Sequence, residues 1–156
     1  LDDLNVFLVG DLKYGRTVHS LLMAMSEFNT TYNFVSPPEL KVPEEYKMFL
    51  QERNLTYHEH TDFTDIISDA DIVYMTRIQR ERFSDPMEYE KTKNSYVLRN
   101  SMLEGTKDNL RILHPLPRVN EIHDDVDESK KAYYFPQALN GVYTRMAIMT
   151  SILGLQ

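Results

Sequence analysis

Short apolar runs separated by stretches of helical period constrain this 156-residue chain more than any other feature. Val6-Phe7-Leu8-Val9 is the first run. Val18, Leu21, Leu22, Met25 and Phe28 then recur at the i, i+3, i+4, i+7 spacing of one helix face. Residues 32–35 form a second run, closed by Ser36-Pro37-Pro38, which cannot continue a ladder. Pro43 stands where a helix start tolerates proline, and Glu44 and Glu45 suit the first turn. Tyr46, Phe49, Leu50 and Arg53 follow the helical period. Residues 55–58 carry a weak third strand signal, 63–67 read as a short helix, 71–75 as a fourth strand and 111–113 as a fifth. Ser101 is placed to cap a helical turn through Glu104. Residues 139–153 carry Val142, Met146, Met149 and Ile152 on one face, the pattern of a closing helix. This alternation predicts one α/β domain: a doubly wound, Rossmann-like parallel sheet of about five strands flanked by helices, three layers α/β/α.

Ligands of such sheets bind beyond the carboxyl ends of the strands, where the strand order switches. Three unusual loops leave those ends: Gly10-Asp11-Leu12-Lys13-Tyr14-Gly15-Arg16, Thr76-Arg77-Ile78-Gln79-Arg80-Glu81-Arg82 and His114-Pro115-Leu116-Pro117-Arg118. If strands one, four and five are neighbours, the three meet in one crevice. The second loop continues to about residue 93, polar and long enough to be functional.

Composition narrows what such a crevice holds. A net charge of -7 argues against a general nucleic-acid binder, which needs a basic surface, although a few arginines suffice for a small anion. Without cysteine there is no disulfide, thiolate metal site or cysteine nucleophile, which fits a reducing compartment. No apolar run approaches the ~20 residues of a membrane span, and no signal peptide is evident.

Arg16 opens the helix after Gly15, at the positive end of its dipole, where a cation is comfortable only beside an anion. Residues 10–17 match the phosphate loop G-x-x-x-x-G-K-[ST] except for arginine in place of lysine. Leu12 and Tyr14 are bulky for a backbone that must wrap phosphate, so nucleotide binding stays an alternative. Arg77 and Gln79, at alternating positions after strand four, can project the same way; a surface salt bridge is the alternative for Arg77 taken alone. A carboxylate engages one arginine through two prongs, and a dicarboxylate engages both Arg16 and Arg77. Pro115 and Pro117 lack N–H groups, so the carbonyls of Pro115, Leu116 and Pro117 form an acceptor-rich edge suited to a ligand bearing N–H. His114 reads as hydrogen-bonded structure, His58 and His60 as a solvated strand end, and the acidic run Asp124, Asp125, Asp127, Glu128 as a solvated loop.

Together with Gln137-Ala138-Leu139-Asn140-Gly141, the three loops resemble, in order and spacing, the aspartate carbamoyltransferases, over the second, aspartate-binding half of such an enzyme. The resemblance implies transfer of a carbamoyl group from carbamoyl phosphate to L-aspartate, giving N-carbamoyl-L-aspartate and phosphate on the way to pyrimidines. It implies that Arg16, Arg77 and Gln79 bind aspartate and that the Leu116 and Pro117 carbonyls meet the carbamoyl nitrogen and the amine. Residues 80–95 match a mobile loop, and Lys13, Tyr14 and Glu88 match residues that exchange contacts as it moves. Arg145 matches an arginine facing the other half of the subunit. No general base, cofactor or metal is implied; a cytoplasmic homotrimer is. The ornithine-using sister family typically has cysteine where Pro115 stands, and its substrate has no second carboxylate for a second arginine. The Ser-Thr-Arg-Thr turn that holds phosphate in the family's first half is missing here. The chain, which starts at Leu1, therefore reads as one piece of a longer polypeptide containing a carbamoyl-phosphate-binding domain, and as inactive alone. A non-catalytic assembly domain of the same fold is the other alternative.

Overall fold

The computed structural model describes residues 2–78, 83, 85, 87, 89, 90 and 96–155. Five parallel strands, β1 (Asn5–Val9), β2 (Thr31–Val35), β3 (Tyr57–His60), β4 (Ile72–Met75) and β5 (Arg111–Leu113), form one sheet in the order β3-β2-β1-β4-β5. Alternation along the strands sorts side chains into two cores. Val6, Leu8, Tyr32, Phe34 and Tyr74 face one, while Phe7, Val9, Val35, Val73, Met75 and Ile112 face the other. The doubly wound α/β architecture is as the sequence predicts.

Helices α1 (Arg16–Met25) and α2 (Glu44–Glu52) cover the first core. Val18, Leu22 and Met25 of α1 and Leu50 of α2 are buried there, with Leu21, Phe28, Tyr46 and Phe49 packed at the margin. The α1 repeat extends to Phe28, yet the helix stops at Met25, where the Ser26 N–H closes onto the Leu22 carbonyl. Among the described residues, the second core is roofed by short 3-10 turns and irregular chain, including Ile67, Leu98, Leu103, Ile122 and Val126, with Phe83 and Tyr89 packed against it. Of residues 63–67, expected to be helical, 64–66 are turns that lead into a 3-10 helix at Ile67–Asp69. Buried Phe63 anchors them in place of a helical face. The third strand begins two residues later than expected, because β3 is an edge strand whose exposed side chains give little periodic signal.

Helix α3 (Tyr134–Ile152) starts five residues before the expected closing helix and does not close this core. Tyr134 is its only buried side chain among the described residues, and Leu139, Val142, Tyr143, Met146, Met149 and Ile152 are all exposed. Among the described residues, no helix is long and apolar enough to cross a membrane.

Candidate functional site

Because β1, β4 and β5 lie side by side, the loops that leave their carboxyl ends meet over one end of the sheet. A crevice of about 250 Å3 lies between them, bordered by Tyr14 and Arg16, by Thr76 and Arg77, and by Leu116 and Pro117. A larger cleft of about 740 Å3, near Phe63, Met102 and Ile122, gathers one arginine, Arg99, with Asp124, and so lacks paired cations.

Backbone contact builds the first wall. Gly10 has φ +112°, and a Cβ there would stand 2.4 Å from the Thr76 carbonyl oxygen. Only glycine permits that approach of the two strand ends. Thr76 seals it: its N–H and hydroxyl donate to the Val9 carbonyl at 2.8 and 2.9 Å, and its Oγ1 accepts the Asp11 N–H at 2.9 Å. The Gly10, Leu12 and Tyr14 N–H groups go to the Val35 carbonyl, the Leu40 carbonyl and Asp11 Oδ1. A phosphate-cradling loop needs such N–H groups turned toward the ligand. Here four are spent inside the fold, so the match to a phosphate loop is one of spacing only.

Arg16 is the first residue of α1, exposed, with no acidic residue in the first turn. No side-chain hydrogen bond or ion pair of Arg16 is present among the described residues. Arg77 enters the crevice from the end of β4; three residues earlier in the chain, burial raises the Tyr74 phenol, tempered by a hydrogen bond with Thr17.

The third wall is acceptor-rich for a reason visible in its bonds. Pro115 and Pro117 have no N–H, and the Leu116 N–H donates to His114 Nδ1 at 2.8 Å. The rim given by residues 115–117 therefore offers backbone acceptors and no free backbone donor. Leu116 has φ +52° and a cis peptide to Pro117. Beneath the rim, His114 and Glu121 are both buried, and His114 Nε2 lies 2.7 Å from Glu121 Oε1. Burial pushes the Glu121 carboxyl up, but the hydrogen bonds from His114 and backbone N–H groups outweigh it and leave it below its ordinary value.

Arg118 closes the loop. Its guanidinium forks onto Asp127 at 2.5 Å for both prongs, reaches Asp124 at 3.0 Å and touches the Tyr134 hydroxyl at 3.1 Å. The hydrogen bond from Arg118 is the main reason the Asp127 carboxyl lies below its ordinary value. The acidic run is thus not wholly a solvated loop, since Asp127 is the partner that braces Arg118.

Arg16, Arg77, Leu116, Pro117 and Tyr14 border one crevice; Lys13 is exposed, with its ammonium 5.1 Å from the Tyr14 ring center. Gln79 and Glu88, and most of residues 80–95, lie outside the described residues. The His58 and His60 rings are 6.3 Å apart on edge strand β3, and His60 Nε2 is engaged by Asn33. The Glu121 and Gln137 contacts of His114 escape sequence reading, because a proline-rich turn has no period from which to infer partners. Two guanidiniums beside an acceptor-only rim complement a dianion that also carries N–H groups.

Fold and crevice together define a doubly wound α/β domain with two arginines at its switch point. Residues 2–152 match the aspartate/ornithine carbamoyltransferase Asp/Orn binding domain, and the chain belongs to that family. It is 67% identical over 156 residues to the aspartate carbamoyltransferase catalytic subunit of Bacteroides thetaiotaomicron, covering 99% of this chain and 50% of that protein. A Vibrio vulnificus catalytic subunit is 51% identical over 154 residues, covering 98% of this chain and 50% of that protein. Among solved structures, the catalytic subunit of M. jannaschii aspartate transcarbamoylase superposes with a TM-score of 0.91 at 46% identity, covering 98% of this chain and 50% of that one. The Trypanosoma cruzi aspartate transcarbamoylase in complex with N-(phosphonacetyl)-L-aspartic acid gives 0.85 at 31% identity, covering 95% and 49%. The chain spans about half the length of the relatives it matches.

Proposed function

We propose that this chain is the aspartate-binding half of an aspartate carbamoyltransferase, which transfers the carbamoyl group of carbamoyl phosphate to L-aspartate in pyrimidine biosynthesis. The observation that carries the reading is the placement of Arg16 and Arg77, from the ends of β1 and β4, across one crevice from the acceptor-only rim at Leu116 and Pro117. Two carboxylates need two guanidiniums, and ornithine has only one carboxylate. Gln79, two residues beyond Arg77 in the chain, joins it on aspartate in this reading, and Lys13, Tyr14 and Glu88 add contacts around the same crevice; Gln79 and Glu88 lie outside the described residues. The carbonyls of Leu116 and Pro117 hold the amine and the carbamoyl nitrogen.

Binding two reactants at attack distance supplies roughly 7–11 kcal/mol in favorable cases, and orientation of aspartate is this half's part of it. A carbamoyl-phosphate-binding domain of the same polypeptide supplies the phosphate site, and α3 with Arg145 is the surface it covers. The complete enzyme is a cytoplasmic homotrimer. The complete polypeptide, incubated with carbamoyl phosphate and either amino acid, should form N-carbamoyl-L-aspartate and leave ornithine unchanged. Turnover of ornithine would overturn the substrate assignment, and turnover of neither would favor an assembly role.

A further inference from the structure

Resting on that reading, the geometry points to His114 and Glu121 as positioning residues that hold the Leu116 and Pro117 carbonyl rim in its reactive orientation, tied to α3 through Gln137. Their hydrogen bonds form one continuous chain. The Leu116 N–H donates to His114 Nδ1 at 2.8 Å, so that nitrogen carries no proton. Nε2 then carries the proton and donates to Glu121 Oε1 at 2.7 Å. Glu121 Oε2 accepts the Val119 and Asn120 N–H groups, each at 3.1 Å, on the far side of the same loop. The His114 N–H donates to Gln137 Oε1 at 3.0 Å, in the first turn of α3.

The neutral imidazole has a partner at both nitrogens, and only 1% of the His114 side chain is exposed. It is thus placed to orient the rim and not to exchange protons with substrate. Leu116 sits at φ +52°, a left-handed conformation that a side-chain-bearing residue keeps only where its surroundings over-determine it. The bond from its N–H to His114 is that constraint. Arg16 and Arg77 enter from other strands, so loosening the rim leaves carboxylate binding in place and misplaces the reacting nitrogen.

The test uses the complete polypeptide. His114→Ala should lower kcat about 10- to 100-fold, the loss expected for a misplacement near 1 Å, with succinate binding within about threefold of the parent. His114→Asn, whose carbonyl oxygen still accepts the Leu116 N–H, should recover most of that kcat. A purely structural role predicts equal losses of melting temperature for both variants and an unchanged kcat per folded enzyme, and that result would overturn the proposal. Long-range nitrogen–proton NMR of the unsubstituted polypeptide reads the tautomer directly, even where the alanine variant fails to fold. A proton on Nε2 alone supports the hydrogen-bond chain; a proton on Nδ1 refutes it. Absence of carbamoyl transfer in the parent would refute the functional reading instead, while the NMR result still decides the hydrogen-bond chain.

Discussion

Gly10 and Gly105 both have positive φ, +112° and +72°, yet only one has neighbors where a side chain would go. An alanine at Gly10 meets the Thr76 carbonyl and hydroxyl, whereas one at Gly105 meets nothing within 4 Å. Gly105→Ala should therefore cost only backbone strain, about 1–2 kcal/mol. Gly10→Ala should cost clearly more than the ~3 kcal/mol upper range of such strain, because β1 and β4 must also separate. Chemical denaturation of both variants checks the difference, and equal losses would refute the close approach. At this scale the candidate site was partly legible. Arg16 and Arg77 stand where strands end, so their convergence follows once β1 and β4 are neighbors. The buried His114–Glu121 pair did not follow, because its geometry is set by a non-repeating turn.

At the amino end of the sheet, one carboxylate ties three strands together. Asp71, just before β4, accepts the Asn5 N–H of β1 at 2.9 Å, and Lys107 and Asn109 before β5 at 3.0 Å. Burial raises its carboxyl, but these partners outweigh burial and hold it below its ordinary value. Asp127 and Glu121 are also depressed. A depressed carboxyl contributes stability that is full above its unfolded value and lost as pH falls through the folded one. The melting temperature should therefore decline below about pH 4.5, the ordinary value for Glu121. Asp71→Asn should cost about 2 kcal/mol near pH 7 and flatten part of that decline. An unchanged acid profile in that variant would contradict the role given to Asp71. The central strands were legible because Val6–Val9 and Ile72–Met75 are continuous apolar runs, buried except for the half-buried Ile72. The edge strand β3 and the 64–66 turns were not, since their residues are fixed by single anchors such as Phe63.

Across the whole molecule, the exposed apolar residues of α3 are the feature the sequence pattern could not interpret. A period of 3.6 marks an apolar face but not whether it meets its own core or another body. Met146 and Met149 are 59% and 62% exposed, so the paired Met146→Lys, Met149→Lys substitution should leave the stability of this chain alone within about 0.5 kcal/mol. In the complete polypeptide the same pair should lower both melting temperature and carbamoyl transfer; no loss there would mean that α3 is not covered. In the proposed function, Arg16 and Arg77 together hold a dicarboxylate at the switch of the sheet. Calorimetry of succinate, a dicarboxylate analogue of aspartate, with the complete polypeptide tests it most directly. A charge-assisted hydrogen bond contributes roughly 1.5–3 kcal/mol, so Arg77→Ala should weaken succinate about 10- to 150-fold. Carbamoyl phosphate affinity should stay within about threefold of the parent. Equal losses for the two ligands would contradict the account.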